Sequence, residues 1–209
     1  MPEPGDLILP ALYVVTGALA IAVAITQADA IPHYLTTYWK ASLVVLGVPL
    51  AAFALGNYQL IVLLHVLGAL FFVGAHAASV YVAFALPDET DPKKAEALLL
   101  LSGGALDWMH ASLAFLLATG VAAGFAGGWW GEPWLWLSLD VLLAITAYMY
   151  VAGSSPAYRA ARRALLDEDG PGWDEATRKL VDRGRALRLM GTGVAALVAI
   201  TALMVLKPG

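Results

Sequence analysis

Five stretches of about twenty mostly apolar residues, 7–26, 59–86, 106–127, 134–152 and 187–206, set the limits on what this chain can become. A helix needs about 20 apolar residues to cross the ~30 Å hydrocarbon core of a bilayer. Inside that core a lone segment satisfies its backbone polar groups only as a helix. A sixth stretch, 41–55, is shorter and carries Pro49, which removes one hydrogen bond from the helical ladder. It reads as a kinked span or a half-inserted helix, and Gly56-Asn57 after it reads as the tip of a helical hairpin. Composition agrees. The chain is 60% hydrophobic and 13% charged, against about 45–50% and about 25% in soluble domains. The expected fold class is an all-α polytopic transmembrane bundle of about six spans.

Charge gives the orientation. Lys40, Lys93, Lys94, Arg159, Arg162, Arg163, Arg178, Lys179, Arg183, Arg185 and Arg188 all fall on one side of a six-span arrangement, and only Lys207 falls on the other. The positive-inside rule puts the basic side in the cytoplasm and both termini outside, in a bacterial inner membrane. Trp129, Trp130, Trp134 and Trp136 mark the outer turn, and Tyr38, Trp39 and Trp108 the inner ends, as headgroup-level anchors. The tripeptide Ala28-Asp29-Ala30 resembles a signal-peptide cleavage site, but Glu3 and Asp6 stand where a signal peptide needs bases. The first stretch is therefore expected to stay as a span.

The one sizeable polar segment, 155–186, reads as two short helices, 157–166 and 173–187, broken by the acids, Gly and Pro of 167–172. They suit an anionic leaflet, or the docking of a cytoplasmic partner. No phosphate-cradling glycine motif appears, and no basic stripe on a soluble scaffold suits a nucleic acid. The absence of cysteine removes disulfides, thiolate metal sites and cysteine nucleophiles.

Ionisable groups within spans are costly, so each is a functional candidate. These are His65 and His76 on the third stretch, His110 on the fourth and Asp140 on the fifth, with His33 in the first inner loop. Eleven residues at 100° each return His76 to within about 20° of His65, roughly 16 Å further along. Gly68 and Ala69 between them permit a close neighbour. Similar depth predicts a His65–Asp140 hydrogen bond, with Asp140 orienting the imidazole. His76 and His110 both lie toward the inner side, about 7 Å apart in depth on straight helices. Two imidazoles from facing helices are what a bis-histidine haem b requires, and His with Met or carboxylates suits copper. The competing expectation is that these histidines only bond Ser79, Ser112, Thr119 or Thr146 across helices. Gly120, Gly124 and Gly128 form a small-residue ridge for packing within the chain or for a homo-oligomer. Tyr148, Met149 and Tyr150 are packing candidates.

The run Leu64-His65-Val66-Leu67-Gly68-Ala69-Leu70-Phe71-Phe72-Val73-Gly74 resembles the opening helix of a group of bacterial membrane proteins. That group includes the copper-resistance protein D-like proteins, and HemJ-type protoporphyrinogen oxidases have a similar helix. The nearest resemblance is to the uncharacterised family catalogued as domain of unknown function 2269, a four-helix module with a basic loop before its last span. Its apolar end running into Lys-Pro is matched by Leu203-Met204-Val205-Leu206-Lys207-Pro208. The resemblance covers 58–208, which makes 58–209 a four-helix core with the basic loop 155–186, and 1–57 an added transmembrane hairpin. In HemJ-type enzymes the histidine matching His65 is implicated in haem b binding, with a lysine as the other ligand. Here no lysine lies within a span and Phe72 stands at a tryptophan position, departures that speak against oxidase activity. The Met-rich and Cys ligands favoured by Cu(I) are also missing.

The leading expectation is a non-catalytic or redox-accessory membrane protein binding haem b, or secondly copper, through His65, His76 and His110, or else no cofactor at all. The alternatives are a copper or small-solute transporter, and a structural or assembly subunit of a respiratory membrane complex. No Ser–His–Asp order or zinc-protease motif supports hydrolase chemistry.

Overall fold

The computed structural model describes residues 8–26, 39–153, 156–167, 170 and 172–208. His33, Tyr38 and the Ala28-Asp29-Ala30 tripeptide lie outside the described residues. The described chain is helical throughout: α1 (Ile8–Thr26), α2 (Trp39–Ala54), α3 (Tyr58–Ala85), α4 (Pro92–Gly127), α5 (Pro133–Gly153), α6 (Pro156–Leu166), α7 (Glu175–Arg178) and α8 (Arg183–Leu206). Among the described residues four stretches are long and apolar enough to cross a membrane: Tyr58–Asp88, Pro92–Gly127, Pro133–Gly153 and Glu175–Leu206. Ile8–Ile21 and Lys40–Ala54 are shorter apolar stretches. The result is an all-α membrane bundle.

Local chemistry sets the helix ends. Asn57 caps α3 by accepting from the Leu60 amide at 3.0 Å, which confirms Gly56-Asn57 as the turn between α2 and α3. Asp91 caps α4 by accepting from the Lys93 amide at 2.9 Å, with Pro92 in the first turn. Helix α4 thus begins well before its apolar stretch, because helicity tolerates the charges of Lys93, Lys94 and Glu96 that hydropathy rejects. Gly128, in the left-handed conformation at φ 70°, ends it. The second polar helix expected at 173–187 is in fact two elements. Helix α7 is a single turn, and α8 restarts where Asp182 accepts from the amides of Gly184 and Arg185 at 2.8 and 3.1 Å.

The helices sort into two groups. Helix α3 packs along α4, with α2 against both; α5 packs along α1 and α8; a sparser line of contact joins α3 to α8. The two helices ahead of the core thus go to different places, α1 to α5 and α2 to the α3–α4 pair. At one end of the bundle the aromatic rings tie the groups together. The Trp129 indole donates to the Tyr58 hydroxyl at 3.2 Å, and the Trp136 indole donates to the Trp130 carbonyl at 2.9 Å. Tyr13 meets Trp136 edge-on at 4.5 Å, and the Lys207 ammonium lies 4.0 Å from the centroid of Trp129. Trp134 is buried. These tryptophans pack on one another as well as marking an interface, and the Lys-Pro ending places its cation on an aromatic face.

Trp108 is 70% exposed and stands 19 residues before the end of α4 at Gly127, or about 29 Å at ~1.5 Å per residue, close to the thickness of a hydrocarbon core. The part of α4 before Trp108 carries a compact polar-end cap. Leu86, Ala95, Leu99, Ala161 and Trp173 form its buried core, with Tyr158, Leu165 and Val181 packed against it. The Trp173 indole donates to the Glu89 carbonyl at 2.8 Å, and Arg183 pairs with Asp88. Arg185 donates to the carbonyls of Ala152 and Gly153, closing the C-terminal end of α5.

Asp174 caps α7 by accepting from the Thr177 amide at 2.7 Å, and hydrogen bonds from Thr177 hold its carboxyl below the ordinary carboxylate value. A lowered folded pKa stabilises above the unfolded value and stops doing so as pH falls through the folded one. Acidification is therefore expected to lower the protection of the Thr177 amide, so that its hydrogen exchange slows less than the intrinsic pH effect alone would make it. Asp174→Asn should lose that extra pH dependence.

Candidate functional site

The motif around His65 lies in the seam between α3 and α4. His65 Nδ1 is 3.0 Å from the Leu116 carbonyl oxygen and 3.2 Å from Thr119 Oγ1. A carbonyl only accepts, so the bond to Leu116 places the imidazole hydrogen on Nδ1 and leaves Nε2 as the basic nitrogen. Thr119, fully buried, is itself within donating distance of the Phe115 and Leu116 carbonyls at 2.8 and 3.0 Å. Two glycines make the approach possible. A Cβ at Gly120 would stand 3.0 Å from His65 Cε1; a Cβ at Gly68 would stand 3.0 Å from the Phe115 ring and 3.3 Å from Leu116 Cα.

The expected His65–Asp140 bond is not the one that forms. Asp140 Oδ1 lies 2.5 Å from Thr16 Oγ1, and the same hydroxyl is 2.9 Å from the Leu12 carbonyl. The reason is neighbour order: α3 packs on α4, whereas α5 packs on α1 and α8. Equal depth does not bring two side chains together when their helices are not neighbours. Asp140 therefore does not orient His65; it ties α5 to α1.

His76 lies on the same face of α3 as His65, its ring tilted at 42° to that of Phe72 with centroids 5.1 Å apart, and its Nδ1 is buried without a hydrogen-bond partner. The observed register brings His76 and His110 level. Eleven residues on from His65 along α3 and eleven back from Gly120 along α4 reach His76 and Met109, so His110 stands within about one residue rise of His76. His110 is turned roughly 100° away from Met109 around α4, and its Nδ1 bonds the Leu106 carbonyl on its own helix at 2.8 Å. Asp107, half-buried one turn before His110, is a further polar group in this region that apolar-run reading passed over. Thr119 is one of the hydroxyls expected to bond a histidine, and it does; Thr16 and the Leu116 carbonyl are not signalled by the sequence, since only packing reveals which group faces a given side chain.

Among the described residues no three His, Asp or Glu side chains converge to hold a metal ion. At Gly68 the backbone of α3 stands in close contact with α4. Among the described residues two buried ring nitrogens have no hydrogen-bond partner, His76 Nδ1 in this region and Trp130 Nε1 beside Gly124.

Residues 59–208 match the family described as "Predicted integral membrane protein (DUF2269)". The chain belongs to this family. No curated protein and no solved structure matches it. The DUF2269 match covers α3, α4, the cap, α5 and α8 and leaves α1 and α2 outside, so the His65 seam lies wholly within the family region while Asp140 is tied to a helix beyond it.

If His65 is a clamp, replacing it by a shape-similar residue without a donor isolates the hydrogen bond. His65→Phe is expected to destabilise the protein by about 1 kcal/mol, the scale of interhelical hydrogen bonds in membranes. His65→Ala should cost about 2–3 kcal/mol, since a cavity opens against Gly120 as well. Thermal unfolding in a fixed detergent would show the order Ala below Phe below wild type.

Proposed function

We propose that this DUF2269 protein is a non-catalytic helical component of a larger assembly in a bacterial inner membrane, its cap in the cytoplasm and both termini outside. The observation behind this reading is how little of its spans the chain itself covers. Of the most apolar window in each long span, 11%, 22%, 11% and, for the span containing α8, 0% is buried. Helices in lipid associate through close packing and polar contacts rather than through a hydrophobic drive. Helix α8 meets α5 and, sparsely, α3, which leaves most of its circumference to lipid or to another protein. The family-motif histidine fits a supporting role as well, because its Nδ1 already serves the α3–α4 seam. The cytoplasmic assignment of the cap follows from its arginines.

Purification in mild detergent followed by native mass spectrometry tests this. A stoichiometric partner or a homo-oligomer is expected; a monomer that gives no cross-links in native membranes would sink the reading. Orientation is separately testable, since the chain has no cysteine. A cysteine introduced at Arg163 should react with an impermeant maleimide only after the inner membrane is opened.

A second reading keeps a cofactor, on the strength of the buried, unpartnered His76 Nδ1. A copper ion is small enough to approach that nitrogen with help from the His110 level. The optical spectrum with and without dithionite, with elemental analysis, decides it. A Soret band or bound copper lost in His76→Ala but kept in His65→Phe would support this reading; neither a band nor metal after expression with both supplied would end it.

A further inference from the structure

Asp140 stands seven residues into α5 from Pro133, about 10 Å below the tryptophan end and inside the hydrocarbon. Among the described residues no basic nitrogen lies within ion-pair distance of its carboxyl. The helices packed on α5 are α1 and α8. In the described part of α1 the one ionisable side chain is Tyr13. The cations of α8 stand at its two ends and are engaged there. Arg183 pairs with Asp88 and Arg188 with Asp182, Arg185 donates to the carbonyls ending α5, and the Lys207 ammonium lies on Trp129. On α5 itself Tyr148 and Tyr150 lie more than two turns further on, and Glu132, another acid, precedes it. An ionised carboxylate without a partner inside hydrocarbon is costly.

Counting hydrogens points the same way. Three oxygens stand in a row: the Leu12 carbonyl, Thr16 Oγ1 at 2.9 Å from it, and Asp140 Oδ1 at 2.5 Å from Thr16. Both separations fall within O–H···O range. The hydroxyl carries one hydrogen and the carbonyl none, so two hydrogen bonds need a second hydrogen. The nearby donors on α5 are spent, Ser138 on the Trp134 carbonyl and Trp136 on the Trp130 carbonyl. A carboxylic acid supplies the missing one, with Asp140 donating to Thr16 and Thr16 donating to Leu12.

We propose that Asp140, with Thr16 as its acceptor, is a proton-binding site within the membrane. Its ligand is a proton, which turns the carboxylate into the acid with no other bond made or broken. The bound proton makes the contact neutral, so α1 seats on α5 without burying a charge. The site rests on the placement of α5 in the bilayer and on no partner of the protein.

The test is infrared spectroscopy of the full chain at neutral pH, where solvent-exposed carboxyls are ionised. An ester-free detergent keeps lipid carbonyls out of the spectrum. Wild type is expected to show the C=O stretch of a protonated carboxyl, shifting in heavy water. Asp140→Asn should lose this band. Thr16→Val, similar in shape but without the hydroxyl, should keep the band and move it to higher frequency, because the acid has lost its acceptor. No band in wild type, or a band that survives Asp140→Asn, overturns the proposal. An unshifted band in Thr16→Val overturns it as well. Sodium or lithium in place of potassium should leave the band unchanged; its loss would show a site for a metal cation instead. Where Asp140→Asn does not assemble, the shift in Thr16→Val assigns the band with the carboxyl intact.

Discussion

Trp173→Ala is expected to unfold the cap while the spans stay assembled. Trp173 is 7% exposed, stands in the cap core with Leu86, Ala95, Leu99 and Ala161, and donates its indole hydrogen to the Glu89 carbonyl. Truncating a buried Trp costs about 3–5 kcal/mol. A core of five buried residues has little stability to spare, so the loss should exceed what the cap holds. Limited trypsinolysis reads this out, because the arginines of α6 and the start of α8 become accessible once the cap opens. Cleavage between Arg159 and Arg188 should accelerate strongly, while the fragments keep their helical content in the detergent. Trp173→Phe keeps most of the packing and loses the hydrogen bond, about 1 kcal/mol, and should remain close to wild type. Equal cleavage of wild type and Trp173→Ala would mean that the cap is not held by this core.

The second large effect is expected at Gly68. Its Cβ would stand 3.0 Å from the Phe115 ring and 3.3 Å from the Leu116 Cα, and the second of these is backbone that cannot swing aside. Gly68→Val forces α3 away from α4 and takes His65 out of reach of Leu116. Overpacking of this kind costs about 1–3 kcal/mol, and the upper end is expected because a hydrogen bond is lost with it. Gly74, on the same helix, has nothing within 4 Å of its would-be Cβ. Gly74→Ala should therefore be neutral or stabilising, by up to about 1 kcal/mol from helix propensity. If Gly68→Val and Gly74→Val unfold at the same temperature, the close seam is not there.

How much of this was legible beforehand differs from residue to residue. Gly68 and Gly120 read as close-packing positions, and both are, but the sequence does not say that they face the same partner pair. His65 read as a ligand or an interhelical donor, with Thr119 among the candidate partners for the second role. The structure supports the second and adds the Leu116 carbonyl, which no side-chain pattern can announce. Asp140 was assigned to the wrong neighbour. Depth along a helix is readable from residue counting, but the order of helices around a bundle is not.

The cap shows the same divide. Its first helix is legible from composition and its arginines from charge, whereas the single helix expected at 173–187 is divided between α7 and the start of α8. Its core is not, because Leu86 looks like the end of a span, Leu99 falls outside the apolar stretches and Ala95 sits among charges. Their burial depends on α6 and Trp173 folding back to meet them.

What the sequence by itself determined is the solvent. Twenty-residue apolar stretches, sparse charge and basic residues gathered between particular spans leave a membrane helical bundle as the only arrangement that satisfies the backbone. The Gly56-Asn57 signal also marks where one helix stops and the next starts, since capping acts within one turn, whereas the caps at Asp91, Gly128 and Asp182 emerge from the structure. What only the tertiary structure decided is which helix lies beside which: α1 on α5, α2 on the α3–α4 pair, Thr16 on Asp140 and Leu116 on His65. Lipid is as apolar as the side chains that face it, so hydrophobicity does not choose neighbours there. Close approach and a few hydrogen bonds make that choice, and they exist only once the helices have met.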